Sequence, residues 1–407
     1  MGQYSSYKDS GFEWIGKIPS HWGLLKSKFL WRESFDTSAT GMEDLLSVSQ
    51  YDGVTPANGS RSESLVGYKV VEENNLVINI MLAWMGGLGV SAFNGLVSPA
   101  YCVYKLLGDN NPKYMHYLYK TPMYLAEFAR HSTGVIPSRW RMYTDDFGQV
   151  ISLIPPRKEQ DAMVAYLDAA TAKIDEAIAQ QQHMIDLLNE RKKIVINHAV
   201  TKGFNPNVKY KETGIAWIGV IPEHWQLMQL RYTVTNHDNL RQPITADQRE
   251  RNNPQYDYYG ASGVIDKIDH YNVDDKVLLI GEDGANLVLR NLPLVYKAEG
   301  KFWVNNHAHI LKPKGNDYDF MALVLEAADY TLFITGSAQP KLSQANMNAV
   351  KLPIPPIKEQ REIVAGIKPK LEKIDSFIEQ HSSMVAFLEE RKQIIINDVV
   401  TGKVKVV

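Results

Sequence analysis

The chain has 407 residues, 44% hydrophobic and 22% charged, which at roughly 100–200 residues per domain predicts two or three domains with their own cores. Forty-four Lys and Arg against 46 Asp and Glu leave a net charge of -2; no global basic field marks a binder of nucleic acid or anionic membrane, and any polyanion site must be local. One cysteine, Cys102, excludes an intramolecular disulfide framework and a cysteine-only metal site, and fits a core thiol in a reducing cytoplasm.

In chain order, Met1–Gly16 lacks the basic start and apolar run of a secretory signal. The block Trp14-Ile15-Gly16-Lys17-Ile18-Pro19-Ser20-His21-Trp22 follows. Asn74 to Tyr104 carries no charged residue, but Asn79, Asn94, the run Gly86-Gly87-Leu88-Gly89 and Pro99 break it into pieces such as Leu76-Val77-Ile78. These suit buried strands better than a membrane span. Tyr101–Tyr104 also reads as strand, and Lys113–Arg130 as helical, with Tyr114, Tyr117, Tyr119, Tyr124 and Phe128. From Lys113 to Arg141 the cations Lys113, Lys120, Arg130, Arg139 and Arg141 face only Glu127, with Trp140 between the last two. Such a patch can hold phosphates and read guanine edges; a solvated helix face followed by a loop explains it equally well.

Ile154-Pro155-Pro156-Arg157-Lys158-Glu159-Gln160 then turns the composition helical. Met163, Leu167, Ala170, Ile174, Ala177, Met184, Leu188 and Val195, with Gln181 and Arg191 in the remaining places, step by four and three as a heptad seam.

The chain then repeats itself. Tyr7–Leu24 recurs at an offset of 203, with 11 of 18 positions identical, as Trp217-Ile218-Gly219-Val220-Ile221-Pro222-Glu223-His224-Trp225 and its flanks. Ile154–Thr201 recurs at an offset of 200 with 23 of 48 identical, beginning Ile354-Pro355-Pro356-Ile357-Lys358-Glu359-Gln360. Its seam is Ile363, Ile367, Ile374, Phe377, Met384, Leu388 and Ile395, with polar Lys370, His381 and Arg391. Pro369 is expected to kink or divide this helix near Lys368. Two long copies suggest a pseudo-dyad, which makes the helices antiparallel partners in a hairpin or coiled coil; packing of each helix on its own domain alone is the alternative.

Between the repeated blocks lie two divergent middles, about residues 25–150 and 228–350, and the second has the weaker charge pattern. Ile280-Gly281-Glu282-Asp283-Gly284-Ala285 reads as a tight turn and lacks a phosphate loop's Lys-Ser/Thr end. Asn305, Asn306, His307 and His309 read as a satisfied structural cluster, since two histidines without further ligands make a poor metal site. Thr133-Gly134-Val135-Ile136-Pro137-Ser138-Arg139 and Thr335-Gly336-Ser337-Ala338-Gln339-Pro340-Lys341 correspond in the two copies. A loop placed alike and ending in a cation suits a contact to DNA. No nucleophile triad, metalloprotease helix, P-loop, dinucleotide fingerprint or adenine-methyltransferase tetrad appears.

The paired Trp-Ile-Gly-x-Ile-Pro-x-His-Trp blocks, the paired Pro-Pro-x-Lys-Glu-Gln helices ending in Glu-Arg-Lys, and Thr401-Gly402-Lys403 make the chain similar to the specificity subunits of type I DNA restriction-modification systems. The resemblance implies an α+β protein: two mixed α/β target-recognition domains separated by two long antiparallel helices, with an internal pseudo-two-fold repeat. It divides the chain at 1–152, 153–203, 204–352 and 353–407. Each recognition domain would read one half of a split, double-stranded DNA site, with the helices as ruler. Two modification subunits, binding S-adenosylmethionine and methylating adenine, and restriction subunits using ATP and Mg would be the partners, in the cytoplasm and off the membrane. No cofactor, metal or catalytic residue is assigned to this chain. The DNA-contact candidates rest on charge and loop position: Arg61, Lys120, Arg130, Ser138, Arg139, Trp140 and Arg141 in the first middle, and Arg249, Arg251, Tyr258, Lys267, Arg290, Lys301, Gln339 and Lys341 in the second. Helix packing is assigned to Met163, Leu167, Ile174, Met184, Leu188, Ile363, Ile367, Ile374, Met384 and Leu388. A duplicated protein-binding scaffold, or a chain with a hidden methyltransferase or nuclease centre, are the rival readings.

Overall fold

The computed structural model describes residues 2–51, 53–57, 64–136, 139–245, 249 and 254–406. The chain forms two compact units, Met1–Gln182 with Ser383–Val407, and His183–Ser382. The sequence division treats the long helices as segments of their own; the observed units each contain part of both.

Both units rest on one frame. The strand Tyr7–Asp9 pairs antiparallel with Lys17–Pro19, Tyr7 opposite Pro19, and Tyr210–Glu212 pairs with Val220–Pro222, Tyr210 opposite Pro222. Gly23–Lys26 then pairs with Ile151–Ile154, and Gln226–Gln229 with Lys351–Ile354. Each second strand ends at its proline pair, where proline's fixed φ ends the ladder and starts a helix.

Those helices are α4 (Arg157–Lys202) and α9 (Ile357–Val400); α1 (Pro112–Tyr119), α2 (Pro122–Arg130) and α3 (Thr144–Gln149) precede the first, and α5 (Leu230–Thr233), α6 (Asn286–Leu289), α7 (Tyr318–Ala327) and α8 (Gln344–Ala349) lie between the two. In the first unit Met163 and Leu167 share a core with Ile396, Val399 and Val400, while Asp175 meets Lys392 at 2.6 Å. Rising numbers on one helix meet falling numbers on the other, so they are antiparallel. The second unit repeats this with Ile363, Ile367, Ile196, Ala199 and Val200, and with Lys192 and Asp375 at 2.6 Å. The antiparallel helix pair expected from the seams is present in each unit.

The seam itself shifts by one residue at several positions. Leu167, Ala170, Ile174, Ala177 and Leu188, like Ile367, Ile374 and Leu388, are buried or half-buried as expected, whereas Met184 and Arg191 are exposed and give way to Ile185 and Lys192. On α9, Lys370, Phe377, Met384 and Arg391 are exposed, and Leu371, Ile378, Val385 and Lys392 take their places. Adjacent apolar residues at these positions make the stripe wider than the seam, so periodicity alone admits both choices. Gln181 and His381 stay half-buried in the seam. Pro369 does not divide α9: it lies on an exposed face, where water can satisfy the carbonyl that loses its partner.

The middles share little beyond this frame. The first builds an antiparallel sheet in the order Trp31–Ser34, Tyr101–Leu106, Leu76–Asn79, Leu88–Val90. Its uncharged stretch supplies the fully buried strand Leu76–Asn79. The second builds six strands, in the order Val234–Asn236, Ala308–Pro313, Val273–Gly281, Val295–Val304, Tyr256–Gly260, Gly263–Ile268, with one parallel pairing between Tyr256–Gly260 and Val295–Val304.

Candidate nucleic-acid interface

The repeated motifs bond to one another. His21 Nε2 lies 2.6 Å from Glu159 Oε1, and His224 Nε2 lies 2.8 Å from Glu359 Oε2. Gln160 is fully buried; its Nε2 donates to Asn110 Oδ1 (2.9 Å) and Pro155 O (2.8 Å), and its Oε1 accepts from Asn111 N (2.7 Å). Gln360 does the same with Asn316 (2.9 Å), Pro355 O (2.8 Å) and Asp317 N (2.8 Å). Asn111 and Asp317 in turn cap α1 and α7, so each buried glutamine ties the start of a long helix to the start of a helix in the divergent middle. The motifs thus account for packing. Glu159 also accepts from Tyr4 OH (3.3 Å) and Trp22 Nε1 (3.1 Å).

Each frame presents a hairpin where the middle returns to it. Thr133 and Arg141 exchange backbone bonds of 2.9 Å, and Thr335 and Lys341 exchange bonds of 2.8 and 2.7 Å. After each hairpin the next amide donates to the end of a core strand: Met142 N to Ile80 O (3.0 Å), and Leu342 N to Glu282 O (2.7 Å). α3 and α8 follow at the same distance. The turn expected at Ile280–Ala285 is therefore the seat of a hairpin.

The two seats differ chemically. In the second unit Glu282 binds the Arg241 guanidinium and lies 3.1 Å from Lys341 Nζ. Buried His309 lies 2.6 Å from Asp238 Oδ2 and 2.9 Å from Leu342 O. Burial pushes the Glu282 and Asp238 carboxyls up, but hydrogen bonds from Arg241 and Lys341 to the one, and from His309 to the other, hold both below the ordinary carboxylate range. His307 meets Asp283 at 2.7 Å, so both histidines of the segment are held by carboxylates. In the first unit the seat is aromatic: Trp84 and Trp140 pack edge to face with centroids 5.4 Å apart. Beneath it Thr144 Oγ1 donates to Glu33 Oε2 (2.6 Å) and lies 2.9 Å from Tyr104 OH. Burial pushes the nearby Cys102 thiol up.

Against known proteins, residues 222–382 match the family model described as a type I restriction modification DNA specificity domain. Those residues belong to that family. The resemblance carried by the paired motifs stands. A putative type I restriction enzyme specificity subunit of Haemophilus influenzae is 34% identical over 128 residues, covering 31% of this chain and 32% of that protein. Two type I restriction enzyme specificity subunits of Methanocaldococcus jannaschii, one of them putative, are each 23% identical, covering 62% of this chain and 59% and 62% of their own lengths. The chain thus spans from about a third to about three fifths of these relatives. A chain from a solved structure of a type I R-M system, described for complex assembly and conformational transition, superposes with a TM-score of 0.64 at 12% identity, covering 94% of this chain and 98% of its own length. That likeness concerns the fold.

Within the specificity domain and its counterpart, the structure sorts the candidate contacts. Arg139 and Gln339 are exposed on the hairpins, and Arg139 has no side-chain partner among the described residues. Trp140 is half-buried against Trp84, and Arg141 donates to Trp140 O (2.8 Å). Lys341 is half-exposed beside Glu282. Lys267 is exposed near Asp257 (3.5 Å), and Lys301 is exposed with its ammonium over Tyr271 (4.7 Å). Others are spent on structure. Lys120 Nζ donates to Gln50 O (2.7 Å) and Gly86 O (2.9 Å). Arg130 forks onto Glu127 (2.8 and 2.6 Å). Arg249 stacks on Tyr258 (4.4 Å) and pairs with Asp266 (3.0 Å). Tyr258 is buried. Arg290 binds the carbonyls of Glu326 and Ala328 at the end of α7. Arg61, Ser138 and Arg251 lie outside the described residues. The interleaved aromatics Tyr114, Tyr119, Tyr124 and Phe128 are core. Sequence reasoning missed Trp84 and Arg241, which are brought to the hairpins by contacts distant in the chain.

Among the described residues no helix is long and apolar enough to cross a membrane.

Proposed function

We propose that the chain is the DNA-reading subunit of a type I restriction-modification assembly, in which each unit reads one half of a split duplex target and supplies no catalytic step of its own. The observation that carries this is one frame built twice around two different sheets, with a differently furnished hairpin at the same place in each. A duplicated scaffold for one kind of partner has no need of unlike middles. In this reading Arg139, Gln339, Lys341, Lys267 and Lys301 supply contacts to phosphates and base edges, and α4 and α9, shared by both units, set the number of bases between the halves. Two modification subunits would bring S-adenosylmethionine and adenine methylation, and restriction subunits ATP, Mg and cleavage, in the cytoplasm where the DNA is. The net charge of -2 means the partners contribute much of the non-specific affinity.

Mapping methylated adenines across the genome, with and without this gene, tests the proposal. A split motif that vanishes with the gene is expected; an unchanged map refutes it. If the chain with its modification subunits protects no split sequence in a footprint, the scaffold reading takes its place.

A further inference from the structure

The seat of the first hairpin is furnished for an apolar ligand. From Ile80 to Gly89 the chain has no charged or hydroxyl side chain, and the single helical turn Ala83–Met85 leaves Leu82 and Met85 exposed and Trp84 half-buried. The Trp84 indole N–H is already spent on Met81 O (3.2 Å), so what its free edge offers is carbon. The turn is rigid. Gly86 is left-handed (φ 87°), its carbonyl accepts from Lys120 Nζ at 2.9 Å, and a Cβ on Gly87 would lie 2.6 Å from Leu82 Cβ. Trp140 holds the indole from the hairpin side, and the hairpin tip continues the apolar surface with Val135, 94% exposed. At the corresponding seat of the second unit stand Glu282, Asp283 and Lys341, so the aromatic pair is particular to the first unit.

Among the edges that a duplex shows in its major groove, the one apolar feature is the thymine 5-methyl group. We infer that Trp84, braced by Trp140, is a specificity-determining residue that reads a thymine methyl in the half-site of the first unit. This rests on the proposed function, since it needs a split DNA target. Arg139, exposed and next to Trp140 in the chain, would hold the backbone while the indole edge covers the methyl.

The test uses the chain co-purified with its modification subunits, on duplexes of the mapped target in which each thymine in turn is replaced by deoxyuridine. Binding is expected to weaken about fourfold at one position, the value of a single buried methyl group. Trp84→Ala should abolish that difference, while Trp84→Phe, which keeps an aromatic edge and the packing, retains part of it. No sensitivity at any thymine overturns the inference, as does sensitivity that survives in Trp84→Ala; a ring wedged between base pairs would give the former result. If the natural chain fails to bind the all-thymine duplex, the proposed function itself falls, and the inference with it.

Discussion

Replacing Gln160 by alanine removes the junction between α4 and α1. The side chain is fully buried and makes three hydrogen bonds of 2.7 to 2.9 Å. Each is worth about 1 kcal/mol net, and the stranded Asn111 amide and Pro155 carbonyl add about 1–3 kcal/mol where water cannot reach them. A loss of about 4–6 kcal/mol is expected, or roughly 10–20 °C in Tm for a unit of this size. Gln360→Ala removes the same three bonds from the other unit, so the two variants should agree within about 1 kcal/mol, the net worth of one such bond. Hydrogen exchange reads the effect locally: Gln160→Ala should unprotect the Asn111 amide, and Gln360→Ala that of Asp317. A cost below about 1 kcal/mol, or an Asn111 amide that stays protected in Gln160→Ala, would refute the reasoning.

The helix clasps call for a double-mutant cycle. Lys392→Asp and Asp175→Lys should each cost about 1 kcal/mol and the double variant should recover most of it, since the pair is half-exposed; chemical denaturation measures this, and additive losses would deny the contact. His116, whose Nδ1 accepts from Val90 N at 3.1 Å, is pushed down to about 4 by burial and then by Lys120 and Lys113. Its ordinary value is higher, so the unfolded chain binds the extra proton. Stability of the first unit should therefore be full above about pH 6.5 and fall by about 3 kcal/mol as pH drops toward 4; a His116→Gln variant with the same pH profile would rule the histidine out. Arg139→Ala should lower DNA affinity and reduce the slope of log affinity against log salt by about 1, as loss of one phosphate contact requires. Gln339→Ala should instead relax discrimination at one base pair of the other half-site, read by methylation mapping.

The repeat, the strand content and the helix pair were legible because each depends on local pattern: motifs at fixed offsets, apolar runs, and a seven-residue period. The seam slipped because Met184 beside Ile185, and Phe377 beside Ile378, offer two apolar faces, and only the partner helix chooses between them. The recognition surface was less legible. Lys120, Arg130, Arg249 and Arg290 carry charge that looks available in a linear reading, yet in the fold each is drawn to a partner: Gly86, Glu127, Asp266 and Glu326. The Asn110-Asn111 and Asn316-Asp317 pairs went unmatched because they lie at an offset of 206, between blocks at 203 and 200. Insertions on either side cancel in part and hide them.

Those two pairs also explain how the ends can stay alike while the middles diverge. The frame closes on itself through the strand pair, the His–Glu contact and the helix seam, all made of repeated residues. Towards each recognition domain it extends a glutamine that asks only for a backbone amide and an asparagine carbonyl, at the start of a helix capped by Asn111 or Asp317. A four-stranded antiparallel sheet and a six-stranded mixed one both meet that request. Because the joint makes few demands on side chains beyond it, the middle of each unit is free to change without disturbing the frame, and a single chain can hold an aromatic seat in one unit and an ionic seat in the other.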